Sequence, residues 1–216
     1  MLLSACGGGA TQTPTQAPAT HILENGRYDK IIVAIPKDPE NLYPLNGNGA
    51  PRNLFFWNIY ETLFDYDDEN NLVPSIGKSI TIVDDKTYDV TIYDVVTDSE
   101  GNHITANDVV YSVNWLIDSG NAVKYDIFES IEAVDDVTVR WHWNEAPSSW
   151  TELEFPLVRT NIFSQAAFES HNFSTEPVGT GSYIVKDYTV GSSLILEAND
   201  NYWLLKNPEI MNTHLD

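Results

Sequence analysis

Two stretches of the chain alternate between apolar and polar residues, which predicts β-strands that have one buried face. They cover residues 88–92 and 137–143. We expect the apolar side chains of the second stretch to share one face of the strand; they are Val137, Val139, Trp141 and Trp143. Aspartate pairs at 84–85 and 135–136 predict turns between strands, because an aspartate side chain can accept a hydrogen bond from the backbone two residues further on.

Helical spacing of apolar residues predicts two helices. The first covers residues 53–64, and we interpret its apolar stripe as the face that packs against the core. The stripe consists of Leu54, Trp57, Tyr60 and Phe64. The second helix begins at a capping box, Thr105-Ala-Asn-Asp108, in which aspartate takes the place of the usual glutamate. Gly120 is expected to cap its C-terminal end, since glycine readily adopts a left-handed conformation.

The remaining segments predict short strands and one long loop. The apolar run at residues 30–35 predicts a buried strand, and residues 36–51 follow it as a loop rich in Pro, Asn and Gly. A loop of this length inside a compact domain usually has a function. Gly179 and Gly181 introduce two further predicted strands around a turn at residues 191–193. Strands and helices without a regular βαβ order favour a mixed α/β fold.

The composition favours a folded, acidic domain. Hydrophobic residues make up 42% of the chain and aromatic residues 12%, which is enough for a core. Against 32 Asp and Glu there are 11 Lys and Arg, and the net charge is −21. The cations form no cluster, so nucleic-acid binding is excluded as a main activity. No apolar run approaches the roughly 18 residues that predict a membrane span.

The single cysteine, Cys6, lies in a segment that resembles the lipobox of bacterial lipoproteins, Leu3-Ser-Ala-Cys6. We expect Cys6 to carry lipid, and two acyl chains anchor a protein stably where one does not. Residues 7–29 are rich in Thr, Pro, Ala and Gly, and they predict a flexible tether that reaches about 25 Å. Export also needs a cationic and apolar leader. Because only residues 1–3 precede Ser4, we expect this leader upstream of Met1 or already trimmed.

No catalytic or cofactor-binding motif is marked out. There is no phosphate-binding loop, and Gly179-x-Gly181 fails as a dinucleotide fingerprint because Ile184 stands at the third glycine position. The five histidines lack zinc-hydrolase spacing. The acidic run at residues 65–71 has Asn70 where a calcium-binding EF-hand loop needs glycine, so a solvated turn is the simpler interpretation. We expect no catalytic residue, no cofactor and no metal.

Four segments spread over residues 30–210 carry short motifs that are weak individually and specific as a collinear set. They are Asp38-Pro-Glu-Asn-Leu-Tyr-Pro-Leu45 with Asn58-Ile-Tyr-Glu-Thr-Leu-Phe64; Leu72-Val-Pro-Ser-Ile-Gly-Lys-Ser79 with residues 98–112; Ile131-Glu-Ala-Val-Asp-Asp-Val-Thr-Val139; and Pro177-Val-Gly-Thr-Gly-Ser-Tyr183 with Asn201-Tyr-Trp203. Together they resemble the bacterial family 5 of extracytoplasmic solute-binding proteins, which serve peptide and nickel ABC importers.

The resemblance implies a two-lobed clamshell of the type II periplasmic-binding-protein kind. This chain would supply the first lobe, with residues 30–60 and 161–216 in the main lobe and a smaller α+β domain inserted at residues 61–160. Residues 1–29 would be the lipobox and linker. The implied function is that of a lipid-anchored, extracytoplasmic component of an ABC importer, which binds oligopeptides or related solutes and works with a membrane permease.

The resemblance also implies the ligand contacts. The loop after the first strand lies against the ligand in this family, which places Asn48, Gly49 and Ala50 there. Glycine in such a loop lets the main chain approach the backbone of a bound peptide. Tyr125, just after the capped helix, is the expected contact from the inserted domain.

The sequence departs from the family in two respects. Ser182 stands where family members usually carry proline. The chain also ends at Asp216, where the family would cross to its second lobe, which normally supplies the acid that holds a peptide's amino group. We expect this lobe to be absent and the chain alone to bind peptide weakly or not at all, because one lobe cannot enclose most of a ligand's surface.

Two alternatives stay open at this point. Six Trp and eleven Tyr suggest a secreted carbohydrate-binding or glycosidase module. Trp141 and Trp143, however, alternate with polar residues, so burial is the simpler interpretation of both. The second alternative is a degenerate fragment that folds poorly. The ligand itself is undetermined among a dipeptide, a longer peptide and a metal chelate.

Overall fold

The structure, a computed structural model, describes residues 31–44, 50–120, 128–147 and 156–214. The chain divides into two compact units, residues 1–35 and residues 36–216. Within the described residues the helices and strands are, in chain order, α1 (Ala50–Ile59), β1 (Phe64–Tyr66), β2 (Leu72–Pro74), β3 (Gly77–Ile82), β4 (Thr87–Ile92), α2 (Ala106–Asp118), β5 (Phe128–Ala133), β6 (Thr138–Trp143), α3 (Gln165–Ser170), β7 (Tyr183–Thr189), β8 (Ser193–Ala198), a 3₁₀-helix (Trp203–Lys206) and α4 (Pro208–His214).

A four-stranded antiparallel sheet has the order β3-β4-β6-β5, and two smaller antiparallel pairs, β1-β2 and β7-β8, lie outside it. The sheet contributes six side chains to the buried core, namely Val90, Ile92, Ile131, Val139, Trp141 and Trp143. Val90 pairs with Val139 and Tyr88 with Trp141, so the apolar residues of β4 and β6 share one face. Val139, Trp141 and Trp143 are buried, which confirms the face predicted from their alternation.

α2 covers this apolar face and packs against β5 and β6. Its buried side chains join those of the sheet in a single hydrophobic cluster. The cluster consists of Leu63, Phe64, Ile76, Val90, Ile92, Val96, Ile104, Ala106, Val109, Val113, Leu116, Ile131, Val139, Trp141, Trp143, Leu157, Val158, Ile162 and Trp203. The mixed α/β fold expected from the sequence is confirmed.

Two aspartates form the predicted turns between strands. The backbone N–H of Lys86 donates to Asp84 Oδ1 at 2.8 Å, and that of Val137 donates to Asp135 Oδ1 at 2.9 Å. These backbone hydrogen bonds lower the pKa of both carboxyls below its ordinary value. The prediction that these aspartates form turns is confirmed.

The predicted ends of α2 are also confirmed. Asp108 Oδ2 accepts from the backbone N–H of Thr105 at 2.8 Å and from its hydroxyl at 2.7 Å. At the other end Gly120 has a φ of 72°, and its N–H donates to the carbonyl of Ile117 at 3.0 Å. Asp108 Oδ1 accepts a further hydrogen bond of 2.9 Å from the backbone N–H of Gln165, so the cap of α2 also holds the start of α3.

The buried face of α1 differs from the prediction. Phe55, Phe56 and Ile59 are buried, whereas Leu54 is 56% exposed and Trp57 is 60% exposed. The core interpretation, which concerned most of the aromatic residues of the stripe, is therefore wrong for Trp57. Because α1 is apolar on nearly every side, spacing alone does not determine which face the fold covers.

The end of the first helix also differs from the prediction. α1 ends at Ile59 rather than at residue 64. Tyr60 and Phe64 are buried as expected, but both lie beyond the helix, and Phe64 begins β1.

The strand predicted at residues 30–35 is not formed in the described residues. Residues 31–35 have no strand conformation. Ile31 is 74% exposed, Ile32 52% and Val33 64%, so the expected burial is wrong as well. An apolar run becomes a strand only when another strand satisfies its backbone N–H and C=O groups. Residues 31–35 have no such pairing with any described strand.

Gly179 and Gly181 pack directly on the end of α1. The backbone N–H of Gly181 donates to the carbonyl of Ile59 at 2.9 Å. A Cβ atom at position 179 would lie 1.9 Å from that carbonyl oxygen, and one at position 181 would lie 2.4 Å from the carbonyl oxygen of Asn58. Both glycines therefore have a structural role, since only a residue without a side chain fits at either position.

We expect Gly179→Ala to lower the free energy of unfolding by about 3 kcal/mol, because the added methyl group forces two backbone segments apart. Urea unfolding monitored by circular dichroism measures this change. Ser182→Ala, three residues away in a partly buried position, is the control and should change the free energy by less than about 0.5 kcal/mol. Equal stability of Gly179→Ala and the parent chain would contradict the close contact.

Candidate ligand-binding site

Asp38 fastens the segment that leads towards the predicted ligand contacts. Its carboxylate accepts from the backbone N–H of Glu40 at 2.6 Å, from the backbone N–H of Gly191 at 2.6 Å and from the hydroxyl of Tyr188 at 2.8 Å. These hydrogen bonds, that of Gly191 foremost, lower the pKa of Asp38. The carboxylate thereby ties residues 36–44 to the turn of the β7-β8 hairpin.

Leu42 is the second fixed point of this segment. Its side chain is fully buried, and its backbone N–H donates to the carbonyl of Ser174 at 3.0 Å. The Leu42 carbonyl accepts from the hydroxyl of Tyr60, also at 3.0 Å. Because both backbone groups are engaged, the position of the main chain at Leu42 is set by residues far away in sequence.

Tyr43 lies against the helix that precedes the second predicted contact. Its ring centroid is 6.0 Å from that of Trp115 on α2 and 6.3 Å from that of Phe168 on α3. Trp115 and Phe168 in turn contact each other at 5.1 Å. A larger aromatic cluster continues from these rings and includes Phe55, Phe56, Tyr60, Tyr111, Phe163 and Phe173.

Most of the predicted contacts lie outside the described residues. This holds for Asn48, Gly49, Tyr125 and the predicted lipid site Cys6, whereas Ala50 is described as the first residue of α1. The contact of Tyr43 with Trp115 places the segment before residues 48–50 against α2, the helix that Tyr125 follows in sequence.

Sequence reasoning did not identify Asp38 or Trp115 as residues that shape this region. Asp38 belongs to a motif that carried the family resemblance, but its partners Tyr188 and Gly191 are about 150 residues away in sequence. Trp115 has the pattern of an ordinary apolar position in an amphipathic helix. No pattern of neighbouring residues predicts the contacts of Asp38 or Trp115, so they are found only in the folded structure.

The acidic run between β1 and β2 forms a hydrogen-bonded turn. Asp67 accepts from the backbone N–H groups of Glu69 and Asn71 at 2.9 and 2.7 Å, and from the Asn71 side chain at 2.9 Å. Within residues 31–44, 50–120, 128–147 and 156–214, no group of three or more His, Cys, Asp or Glu side chains is arranged to hold a metal ion. Among the helices of these residues, none is both long enough and apolar enough to cross a membrane.

The two tryptophans that were expected to be buried rather than to form a carbohydrate platform are indeed buried. Trp141 is 1% exposed and Trp143 is 3% exposed. A sugar-binding platform needs exposed aromatic faces, so neither residue can provide one in this fold. Their burial confirms the simpler interpretation made from the sequence.

The fold and the sequence together define the class of the protein. Residues 71–214 match the middle region of the bacterial extracellular solute-binding proteins, family 5. Because this match covers more than half of the chain, the chain belongs to that family, and the resemblance identified from the four motifs is confirmed.

Individual relatives agree with this assignment. The chain is 26% identical over 204 residues to Protein XP55 of Streptomyces lividans, a match that covers 90% of this chain and 37% of the relative. It is 24% identical over 229 residues to the oligopeptide-binding protein OppA of Bacillus subtilis, covering 94% of this chain and 41% of OppA.

A solved structure shows the same fold. The murein tripeptide binding protein MppA of Escherichia coli superimposes with a TM-score of 0.68 at 21% identity, covering 78% of this chain and 38% of MppA. The chain thus spans about two fifths of the length of each of these relatives.

We expect Asp38→Asn to weaken the attachment of the hairpin turn and to lower the free energy of unfolding at pH 7 by about 1 kcal/mol, the contribution of a hydrogen bond to a charged group after allowance for solvent. Since the folded-state pKa of Asp38 is lowered, its stabilisation is complete well above the ordinary value of 3.8 and disappears as the pH falls below it. Urea unfolding at pH 7 and pH 2.5 measures both effects.

Hydrogen exchange of the Gly191 amide tests the geometry directly. It should become faster in Asp38→Asn and stay unchanged in Asp67→Asn, a matched control that removes a similar turn carboxylate. Equal exchange in both variants would refute the role of Asp38.

Proposed function

We propose that this chain is the first lobe of an extracytoplasmic receptor that binds oligopeptides or related solutes and delivers them to an ABC permease. Family membership over residues 71–214 carries the proposal. The named relatives support it, because OppA is an oligopeptide-binding protein and MppA binds a murein tripeptide. The function is binding rather than catalysis, and the protein acts outside the cytoplasm.

The proposed lobe has a main part at residues 30–60 and 161–216, an inserted α+β domain at residues 61–160, and a linker at residues 1–29. Glu61 pairs with Ile162 in an antiparallel bridge, so the chain leaves and returns side by side at the proposed limits of the insertion. Such adjacency is expected of an inserted domain.

Large apolar side chains at the surface support a second lobe that covers them. Leu54 and Trp57 are exposed on α1, and Val190 and Ile195 are 63% and 47% exposed on the β7-β8 hairpin. A contiguous apolar patch marks an interaction surface, and α1 contacts β7, so these side chains lie on neighbouring elements. The greater length of the relatives agrees with such a partner lobe.

The proposed ligand shelf consists of Asn48, Gly49 and Ala50, with Tyr125 contributing from the inserted domain. The contact of Tyr43 with Trp115 supports this assignment, since it joins the segment before residues 48–50 to the helix that precedes Tyr125 in sequence. A glycine at the shelf allows main-chain hydrogen bonds to a peptide backbone, which suits a receptor that accepts many side chains.

The proposed link to the membrane is diacyl lipid on Cys6. Residues 7–29 then act as a tether that holds an acidic body clear of an anionic bilayer, because their reach of about 25 Å exceeds the Debye length of about 8 Å.

We expect the isolated chain to bind Ala-Ala-photoleucine-Ala-Ala with a dissociation constant weaker than about 1 mM, since one lobe encloses only part of the ligand. At millimolar peptide, ultraviolet cross-linking and mass spectrometry should place the label on residues 48–50 and on Tyr125. Calorimetry measures the affinity.

Gly49→Val should abolish cross-linking at the shelf, because its side chain blocks the approach of the peptide backbone. Gly47→Val, in the same segment, is the matched control and should preserve it. Micromolar affinity would contradict the single-lobe assignment, whereas competition by a mannose oligosaccharide but not by unlabelled peptide would favour the carbohydrate-binding alternative.

Lipid attachment is tested separately. Expressed behind a lipoprotein signal sequence in a bacterium, the chain should incorporate radiolabelled palmitate and partition with membranes. Cys6→Ser should do neither, while Ser4→Ala should behave as the parent. Labelling that persists in Cys6→Ser would refute the assignment of the lipid site.

A further inference from the structure

The main chain at Glu61 is held from two sides. Its N–H donates to the hydroxyl oxygen of Thr180 at 3.0 Å, and its carbonyl accepts from the N–H of Ile162 at 2.8 Å. Glu61 lies in the connection between α1 and β1, and its partly buried side chain has a defined direction because the backbone on which it stands is fixed.

The carboxylate of Glu61 links this connection to the 3₁₀-helix near the C-terminal end. The hydroxyl of Tyr202 donates to Glu61 Oε1, and the indole Nε1–H of Trp203 donates to Oε2 at 2.6 Å. Trp203 is only 1% exposed, and its ring lies 6.1 Å from that of Tyr93. One side chain thus joins segments 141 residues apart in sequence.

No cation balances this carboxylate among the described residues. None of the ion pairs found there includes Glu61. Lys206, on the same 3₁₀-helix, donates instead to the side chain of Asn201 at 3.1 Å. The ionisable groups that act on Glu61 are Tyr202 and Asp65, and Asp65 on β1 has the same negative charge.

Burial therefore dominates the electrostatics of this group. It raises the pKa of Glu61 from 4.5 to about 7, although the hydrogen bonds from Tyr202 and Trp203 act in the opposite direction. Asp65 adds to the increase. Burial and the neighbouring Glu61 also raise the pKa of Tyr202, so its hydroxyl stays protonated in both states of Glu61.

We propose that Glu61, Tyr202 and Trp203 form a proton-controlled latch, which fastens the 3₁₀-helix to the α1–β1 connection and loosens as the pH rises towards neutrality. This inference concerns the attachment of a segment of the chain and does not depend on the proposed function or on any ligand.

Both protonation states keep the latch partners hydrogen-bonded, but at different free energies. When Glu61 is neutral, Trp203 donates to the carbonyl oxygen and the carboxyl proton is shared with the Tyr202 oxygen. When Glu61 is charged, both donors point at a partly buried carboxylate that has no cation nearby among the described residues. The charged form is therefore the costlier one to keep buried.

The direction of the pH dependence follows from linkage. Opening of the latch exposes Glu61 to water, where its pKa returns to about 4.5, so the closed state binds the proton more tightly. Between pH 4.5 and about 7 the opened state binds fewer protons than the closed state, and opening becomes easier as the pH rises. Above that range Glu61 is charged in both the opened and the closed state, and the equilibrium between the two states no longer changes with pH.

Hydrogen exchange of the Trp203 indole N–H measures this opening, because that proton is donated directly to Glu61. Six indole signals are expected from six tryptophans, and Trp203→Phe assigns the relevant one. In the full chain, after correction for the intrinsic pH dependence of exchange, we expect opening to be at least about tenfold more frequent at pH 8 than at pH 5.

Two variants isolate the carboxylate. Glu61→Gln should show no such pH dependence, since it cannot titrate, whereas Glu69→Gln, an exposed turn residue, should retain that of the parent chain. A flat profile in the parent chain, or the same slope in Glu61→Gln, would overturn the proposal.

A second measurement does not depend on how Glu61→Gln folds. Carbon-13 NMR of the Glu61 carboxyl should give a pKa near 7, and Tyr202→Phe should raise it further because a hydrogen bond that favours the charged form is lost. A pKa at or below about 5 in the parent chain would refute the latch.

Discussion

Removal of the apolar face of the four-stranded sheet from water is the interaction on which the rest of the structure depends. Each large side chain buried on that face contributes about 1.5–3 kcal/mol, and α2 is the element that covers it. α2 in turn positions the segment that leads into α3. Asp108 receives the Gln165 N–H, and the hydroxyl of Ser112 donates to the carbonyl of Phe163 at 3.2 Å and accepts from its N–H at 3.1 Å. A helix that covers a sheet thereby also organises the aromatic cluster against which Tyr43 packs.

The features that could be predicted from the sequence are those determined within a few residues. The alternation around Trp141 predicts which face of β6 is buried. Thr105 and Asp108 predict the start of α2, because the hydrogen bonds of the capping box join residues close in sequence. The exposed face of α1 could not be predicted in this way, because Trp57 and Phe56 are both apolar and only the surrounding fold distinguishes them. The run that begins at Ile31 fails for a related reason, namely that a strand requires a partner which its own residues do not specify.

The candidate site also has some features that the sequence predicts locally and others that depend on distant residues. The family motifs predict which segments lie near a ligand, and glycine at position 49 would allow a peptide backbone to approach. The hydrogen bonds that hold the segment before residues 48–50 come from distant parts of the sequence. Asp38 accepts from the Gly191 amide, and the Leu42 amide donates to the Ser174 carbonyl. These tertiary contacts hold residues 36–44 in place, whatever the composition of the segment that follows them. Membership of the solute-binding family and the contacts around Tyr43 are thus complementary observations, one about ancestry and the other about mechanics.

The glycines that rest on the end of α1 have a consequence for how this protein can evolve. At position 179 even the smallest side chain would overlap the Ile59 carbonyl oxygen. No amino acid with a side chain can therefore replace Gly179 unless the end of α1 shifts at the same time. In a population of variants, position 179 should be depleted of substitutions, and any variant with a side chain there should show a compensating displacement of α1.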